Sequence, residues 1–169
     1  DVRKPYLSLD PTGLFTRLGD IRNRGMEASL SGTPVHGLSM ALGGVVLDPQ
    51  VTGEARISGQ TGKRPVGVPL RSIDLNLDWR LPGFEALSLD CAVDHQGRVA
   101  STVNNDLFIP ARTLVDIGSR YRFAIGKNRA TLRVSVSNLF NVYAWDYYGP
   151  STFDYVPQRM ATAYLAVDF

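Results

Sequence analysis

Apolar and polar side chains alternate with a period of two along most of this chain. The clearest run sets Ile73, Leu75, Leu77, Trp79 and Leu81 on one side and Ser72, Asp74, Asn76, Asp78 and Arg80 on the other. Successive side chains of a strand point to opposite faces, so this order specifies a strand with one apolar and one polar face, and no amphipathic helix fits it. The same reading places Leu87, Leu89, Cys91 and Val93 opposite Ser88, Asp90 and Asp94, and Val115, Ile117, Tyr121 and Phe123 opposite Asp116, Arg120 and Arg122. Leu132, Val134 and Val136 oppose Arg133, Ser135 and Ser137. Upstream, Met26, Ala28 and Leu30 oppose Glu27 and Ser29, and a glycine-rich run from Leu38 to Leu47 follows. The chain closes on Ala161, Ala163, Leu165, Val167 and Phe169, all on one face. The pattern predicts an all-β chain of about seven full strands plus a partial one near Tyr6.

The connections predict the architecture. Pro34, Pro49, Pro65, Pro69, Pro82, Pro110, Pro150 and Pro157 fall at or beyond predicted strand ends, where a ladder tolerates a missing N–H. Gly32 to Gly37, Leu81 to Ala86 and Ala124 to Arg129 read as tight turns, whereas Asp48 to Val68, Ala100 to Ala111 and Ala144 to Val156 read as long loops. Short turns at one rim and long loops at the other describe an antiparallel, up-and-down transmembrane β-barrel, the short turns being periplasmic. Strands of about eleven to thirteen residues are long enough to cross a bilayer at a tilt.

Alternation alone also suits a soluble ligand-binding barrel with its apolar face inward. Charge placement argues for the membrane. Lysine occurs only at Lys4, Lys63 and Lys127, near the chain start, in a long loop and in a tight turn. The polar strand face carries Arg120, Arg122, Arg133, Asp74, Asp78, Asp90, Asp94 and Asp116, a set suited to a wet lumen where opposite charges pair across strands. Aromatics gather in two belts: Trp79, Phe84, Tyr121, Phe123 and Phe169 toward the short turns, and Phe108, Phe140, Tyr143, Trp145, Phe153 and Tyr155 toward the long loops. Amphipathic rings at both interfaces are what a membrane barrel requires.

Composition then excludes several function classes. The net charge of +2 gives no reason to expect nucleic acid as a partner. No run approaches the roughly 18 apolar residues of a membrane helix, so any crossing uses strands. The single cysteine, Cys91, forms no internal disulfide. No signal peptide opens the sequence, which starts mid-pattern at Asp1-Val2-Arg3-Lys4-Pro5 and so reads as part of a longer barrel. His36 in a tight turn and His95 near a strand end join no nucleophile or metal-ligand spacing, so neither an enzyme, a metal site nor a cofactor is expected. Ligand contact is expected in the long loops. Trp145, Tyr147, Tyr148, Phe153 and Tyr155 crowd one loop and offer stacking surface, and Arg56, Lys63 and Arg64 in the first long loop would attract an anion.

Several segments carry a family resemblance. Phe15 to Glu27, with Arg22-Asn23-Arg24-Gly25-Met26-Glu27, resembles the "RxRGxE" strand of TonB-dependent outer-membrane receptors. Arg112 to Phe123 resembles their "xxxDLGxRYxF" strand, and Asn138-Leu139-Phe140-Asn141-Val142-Tyr143 resembles their "NLFDxxY" segment, with Asn141 where aspartate is common. The resemblance implies a plugged barrel of about 22 strands, of which residues 1–169 form the C-terminal portion without plug or coupling segment. It implies import of a ferric siderophore or another scarce nutrient, coupled to TonB through an N-terminal region outside this sequence. It implies the bacterial outer membrane and its lipid as surroundings, and a role for Phe169 in the C-terminal signal by which barrel assembly machinery recognises such chains. The rival expectation is a self-standing small outer-membrane barrel of structural or adhesive role.

Overall fold

The structure, a computed structural model, describes residues 2–9, 12–149 and 152–168. In chain order the elements are β1 (Val2–Leu9), β2 (Phe15–Asn23), β3 (Gly25–Val35), β4 (Leu38–Leu47), β5 (Gln50–Thr52) and the one-turn helix α1 (Glu54–Ile57). They continue with β6 (Arg71–Arg80), β7 (Leu87–Gln96), β8 (Val99–Ala100), β9 (Phe108–Ile109) and β10 (Arg112–Ile125). The series ends with β11 (Asn128–Ser137), β12 (Trp145–Gly149), β13 (Thr152–Tyr155) and β14 (Met160–Asp168).

Seven strands form one antiparallel sheet in the order β14-β11-β10-β7-β6-β4-β3. Neighbours are joined by the three predicted tight turns at one rim and by the long connections at the other. The sheet is open: β3 and β14 each pair on one side only among the described residues. It is therefore a curved wall, not the small closed barrel of the rival expectation. Phe169 lies outside the described residues.

Register turns the sequence alternation into continuous rows. Leu42, Leu75, Val93 and Val115 stand side by side, as do Met40, Leu77, Cys91, Ile117, Val136 and Ala161. Nothing among the described residues covers these rows, and Met26 is 83% and Leu165 53% exposed. An uncovered apolar sheet face of this extent has no place in water, and a lipid-facing wall explains it. The opposite face is polar and carries an open concavity of about 520 Å³ bounded by Asn76, Asp78, Asp90, Asp116 and Arg133.

On the polar face, register opposes like charges. Asp78 faces Asp90, Asp74 faces Asp94, and Arg120 faces Arg133. Like charges directly opposite destabilise a ladder. The arginines relieve this by reaching across an intervening strand. Arg120 on β10 crosses β7 to Asp78 on β6, and Arg133 on β11 crosses β10 to Asp90 on β7 at 3.6 Å. A small residue sits under each crossing. Ser88 is 1% exposed, and at Gly118 a Cβ would overlap the Asp90 carboxylate. The glycine in the Asp116-Ile117-Gly118 segment is thus required by the charge lattice, a role the sequence reading did not assign.

The motif residues meet in space. Asp116 Oδ1 accepts the backbone N–H of Asn138 at 2.8 Å, joining the 112–123 strand to the 138–143 segment. Asn138 is 3% exposed, and its amide donates to the Val142 and Pro157 carbonyls at 3.0 and 2.9 Å while its oxygen accepts the Val142 N–H at 2.8 Å. Asn138 and Asn141 have φ of 48° and 52°, the left-handed region that asparagine tolerates better than most residues. Gly25 marks where one long strand changes partners. Before it, β2 pairs with β1 and β5; after it, β3 pairs with β4 so closely that a Cβ would overlap the Val46 carbonyl. Glu27 lies on the polar row beside Val45 and takes no ion pair among the described residues.

Candidate functional site

The long-loop rim is a folded layer of its own. Tyr6, Ile21 and Val51, from β1, β2 and β5, form a buried cluster with Leu18 packed on it. The first long loop contains β5 and α1, which the sequence reading did not assign, and is tied together by the Val51 N–H to the Lys63 carbonyl at 2.8 Å. The second contains the β8–β9 pair, and the third is the β12–β13 hairpin. β5 joins through its pairing with β2, distant in sequence, whereas α1, β8–β9 and β12–β13 close over short stretches of chain without the alternation that marks the wall strands.

Asn105 staples the first loop to the second. Its Oδ1 accepts the Arg64 N–H at 2.6 Å, and its Nδ2 donates to the Arg64 and Thr102 carbonyls at 2.9 and 3.2 Å. Its φ is 63°. Beside it the Gly62 N–H donates to the Val103 carbonyl at 2.7 Å, and a Cβ at Gly62 would overlap the Asn105 side chain. Replacing Asn105 by alanine is expected to weaken this junction by about 1–3 kcal/mol, because the Arg64 backbone groups lose their partners. Hydrogen exchange across 61–67 and 100–107 measures it, and unchanged protection would show that Asn105 does not hold the loops together.

The third loop is held at both faces. Arg112, with its side chain 12% exposed, reaches Asp94 at 2.5 Å on the wall and Asp146 at 2.8 Å on the hairpin. Tyr147 packs on Gly67 of the first loop, where a Cβ would overlap the ring. Burial pushes the Tyr147 phenol up, and also that of Tyr6, whose oxygen accepts the Val66 N–H at 3.4 Å. The loops, β1–β2 and the hairpin therefore form one connected layer above the wall.

The sequence-predicted contact residues divide within this layer. Trp145 stacks on Tyr155 with ring centroids 3.8 Å apart, and Tyr143 adds to them at 5.3 Å from Tyr155. The hydrogen bond to Tyr155 raises the Tyr143 phenol, burial less so. Trp145 has the opposite strand parity to Asp146, which turns toward Arg112 on the polar face, so these rings suit the outward side and the interfacial belt. Phe153 meets Tyr147 edge-on at 6.3 Å. Tyr148 lies at the hairpin's register shift and is 80% exposed. Arg64 is engaged: it pairs with Asp48, whose carboxyl that contact and then Gln50 hold below its ordinary range. Arg56 and Lys63 are exposed. At the other rim, Phe84, Tyr121 and Phe123 form the second belt, with Tyr121 and Phe123 stacked at 5.4 Å. Arg112 was not singled out from sequence as a candidate. Its signal was present, a charged side chain at the long-loop end of an otherwise regular strand.

Known proteins share this architecture. The chain is 28% identical over 147 residues to the ferrichrome receptor FcuA of Yersinia enterocolitica, spanning 86% of this chain and 19% of that protein. The crystal structure of BauA, the ferric preacinetobactin receptor of Acinetobacter baumannii, superposes with a TM-score of 0.80 at 28% identity over 99% of this chain and 26% of its own. The siderophore receptor PiuA of the same organism shares the fold, with a TM-score of 0.75 at 20% identity over 98% of this chain and 24% of its own. This chain thus spans between a fifth and about a quarter of the length of these relatives. The family model for the TonB dependent receptor-like β-barrel matches residues 3–139. Proteins of this kind are outer-membrane receptors and not enzymes. With its uncovered apolar rows, its polar concave face and this match, the chain belongs to the TonB-dependent receptor-like β-barrel family.

Proposed function

We propose that this chain is the C-terminal barrel portion of an outer-membrane receptor that imports a ferric siderophore. The observation that carries the reading is the stapled loop layer presenting Tyr148 above a wall of this family. Relatives described as receptors for ferrichrome and ferric preacinetobactin support the ligand class. Tyr148 offers a face for stacking on an aromatic or conjugated chelator, and Arg56 and Lys63 add positive potential for an anionic iron complex. Coupling to TonB belongs to regions of the parent receptor outside this sequence. Recognition of β14 by barrel assembly machinery belongs to the same reading.

Growth of a receptor-deleted strain on a panel of ferric siderophores, haem and cobalamin, complemented by the full-length gene, tests the function. Rescue by ferric siderophores alone supports it, and rescue by cobalamin or haem alone contradicts it. Tyr148→Ala is expected to weaken uptake about three- to tenfold, the loss of one stacked aromatic contact. Trp145→Ala is expected to act less if its place is the interfacial belt. Unchanged uptake with Tyr148→Ala would remove this residue from the ligand surface.

A further inference from the structure

One surface feature lies on the side facing away from lumen and ligand. Of the outward-facing positions on the seven wall strands, Arg71 is the only Asp, Glu, Lys or Arg among the described residues. A charge on the lipid face is costly at the membrane centre and cheap only near the headgroups. Arg71 stands at the long-loop end of β6, paired across the sheet with Val46, so it sits at the outer interface.

Arg71 also edges an open apolar groove. The groove, about 510 Å³, is lined by Val46, Leu47, Leu70, Pro110 and Ala111 together with Gly97 and two cations, Arg71 and Arg98. No carboxylate lines it. The Gly97 N–H donates to the Arg71 carbonyl at 2.8 Å, and a Cβ at Gly97 would crowd the Arg71 stem, so glycine lets Arg71 lie against the turn that carries Arg98. Arg98 is steadied by Phe108, its guanidinium 4.8 Å from the ring centroid. Neither guanidinium has an acidic partner among the described residues.

We propose that this groove docks a phosphorylated lipid of the outer leaflet, its phosphate on Arg71 and Arg98 and its acyl chains running down the rows of Val46 and Ile73. The charge complementarity is specific: two guanidinium forks with free donors match a phosphate, and the apolar lining continues into the lipid-facing wall. Height in the membrane agrees, since the groove lies at the rim where headgroups are and not at mid-wall. The inference rests on the outward orientation of the long-loop rim and is independent of which nutrient is imported.

The test uses the full-length receptor in detergent micelles doped with bisphosphorylated lipid A or with the same lipid dephosphorylated, and reads retained lipid by native mass spectrometry. The wild type is expected to retain the phosphorylated form about tenfold or more over the other, each interfacial arginine contributing about 1 kcal/mol. The pair Arg71→Gln and Arg98→Gln should bring that preference to within about twofold, while Lys127→Gln at the opposite rim should leave it intact. Retained heat-modifiable gel mobility shows that the variants are folded. Should the double variant fail to fold, Ala111→Glu places a carboxylate in the groove and should expel the lipid by itself. Equal retention of both lipids by the wild type, or an unchanged preference in folded variants, overturns the proposal. Displacement by inorganic phosphate at equal concentration also overturns it, because the site would then be one for a free anion.

Discussion

Leu75→Arg is expected to destabilise the barrel by about 2–4 kcal/mol, the cost of an arginine at the lipid-facing midplane of a β-barrel. Leu75 stands midway along β6, in a row with Leu42, Val93 and Val115 that nothing among the described residues covers. Asn76→Arg, one residue further, places the same side chain on the polar face, flanked by Asp74 and Asp78 on its own strand and near Asp90 on β7. It is expected to change stability by less than about 0.5–1 kcal/mol. Urea unfolding of the full-length receptor in phospholipid vesicles measures both. The contrast between adjacent positions carries the result, since a general intolerance of arginine would affect both alike. Equal losses would mean that the two faces do not meet two different solvents.

The second large effect is expected at Arg112. Its side chain binds the wall and the third loop together, through Asp94 and Asp146. Its own side chain is nearly buried, whereas the two carboxylates keep part of their hydration. Arg112→Ala therefore is expected to cost about 2–3 kcal/mol, below the full value for breaking a buried pair. The local consequence is larger than the global one: the β12–β13 hairpin loses its polar anchor and should open. Hydrogen exchange over 145–155 should rise by roughly the equilibrium factor of that loss, on the order of 30- to 150-fold. Arg112→Lys keeps the charge but not the fork that reaches two acids, and should fall between wild type and alanine. Unaltered exchange in Arg112→Ala would show that Tyr147 on Gly67 is sufficient to hold the hairpin.

The wall was legible in the sequence because each strand states its two environments at every second position. Ile73 to Arg80 shows this plainly, and the tight turns and long loops then fix the order of strands. The polar lattice was legible in its residues but not in its pairings. Which arginine meets which aspartate depends on register, and on Ser88 and Gly118 being small enough to be crossed. The loop layer was mostly hidden. The bonds of Asn105 span 41 residues to Arg64, and no local pattern announces a contact at that distance. For the same reason Arg64 read as a free cation although it pairs with Asp48. The resemblance supplied Asp116 and Asn138 as motif residues, and the structure supplies the reason: one receives a backbone N–H from the other, and the second caps a left-handed turn.

The central claim is that one face of this sheet meets lipid and the other a wet lumen. Cys91 and Ala92 are adjacent at the middle of β7 and belong to opposite faces. A nitroxide attached at Cys91, or at Ala92→Cys with position 91 made serine, reports its solvent in the full-length receptor reconstituted in vesicles. The account predicts that the label at 91 collides with membrane-dissolved oxygen and is shielded from a water-soluble nickel chelate, and that the label at 92 does the reverse. A label at 91 open to the nickel chelate and shielded from oxygen would contradict it.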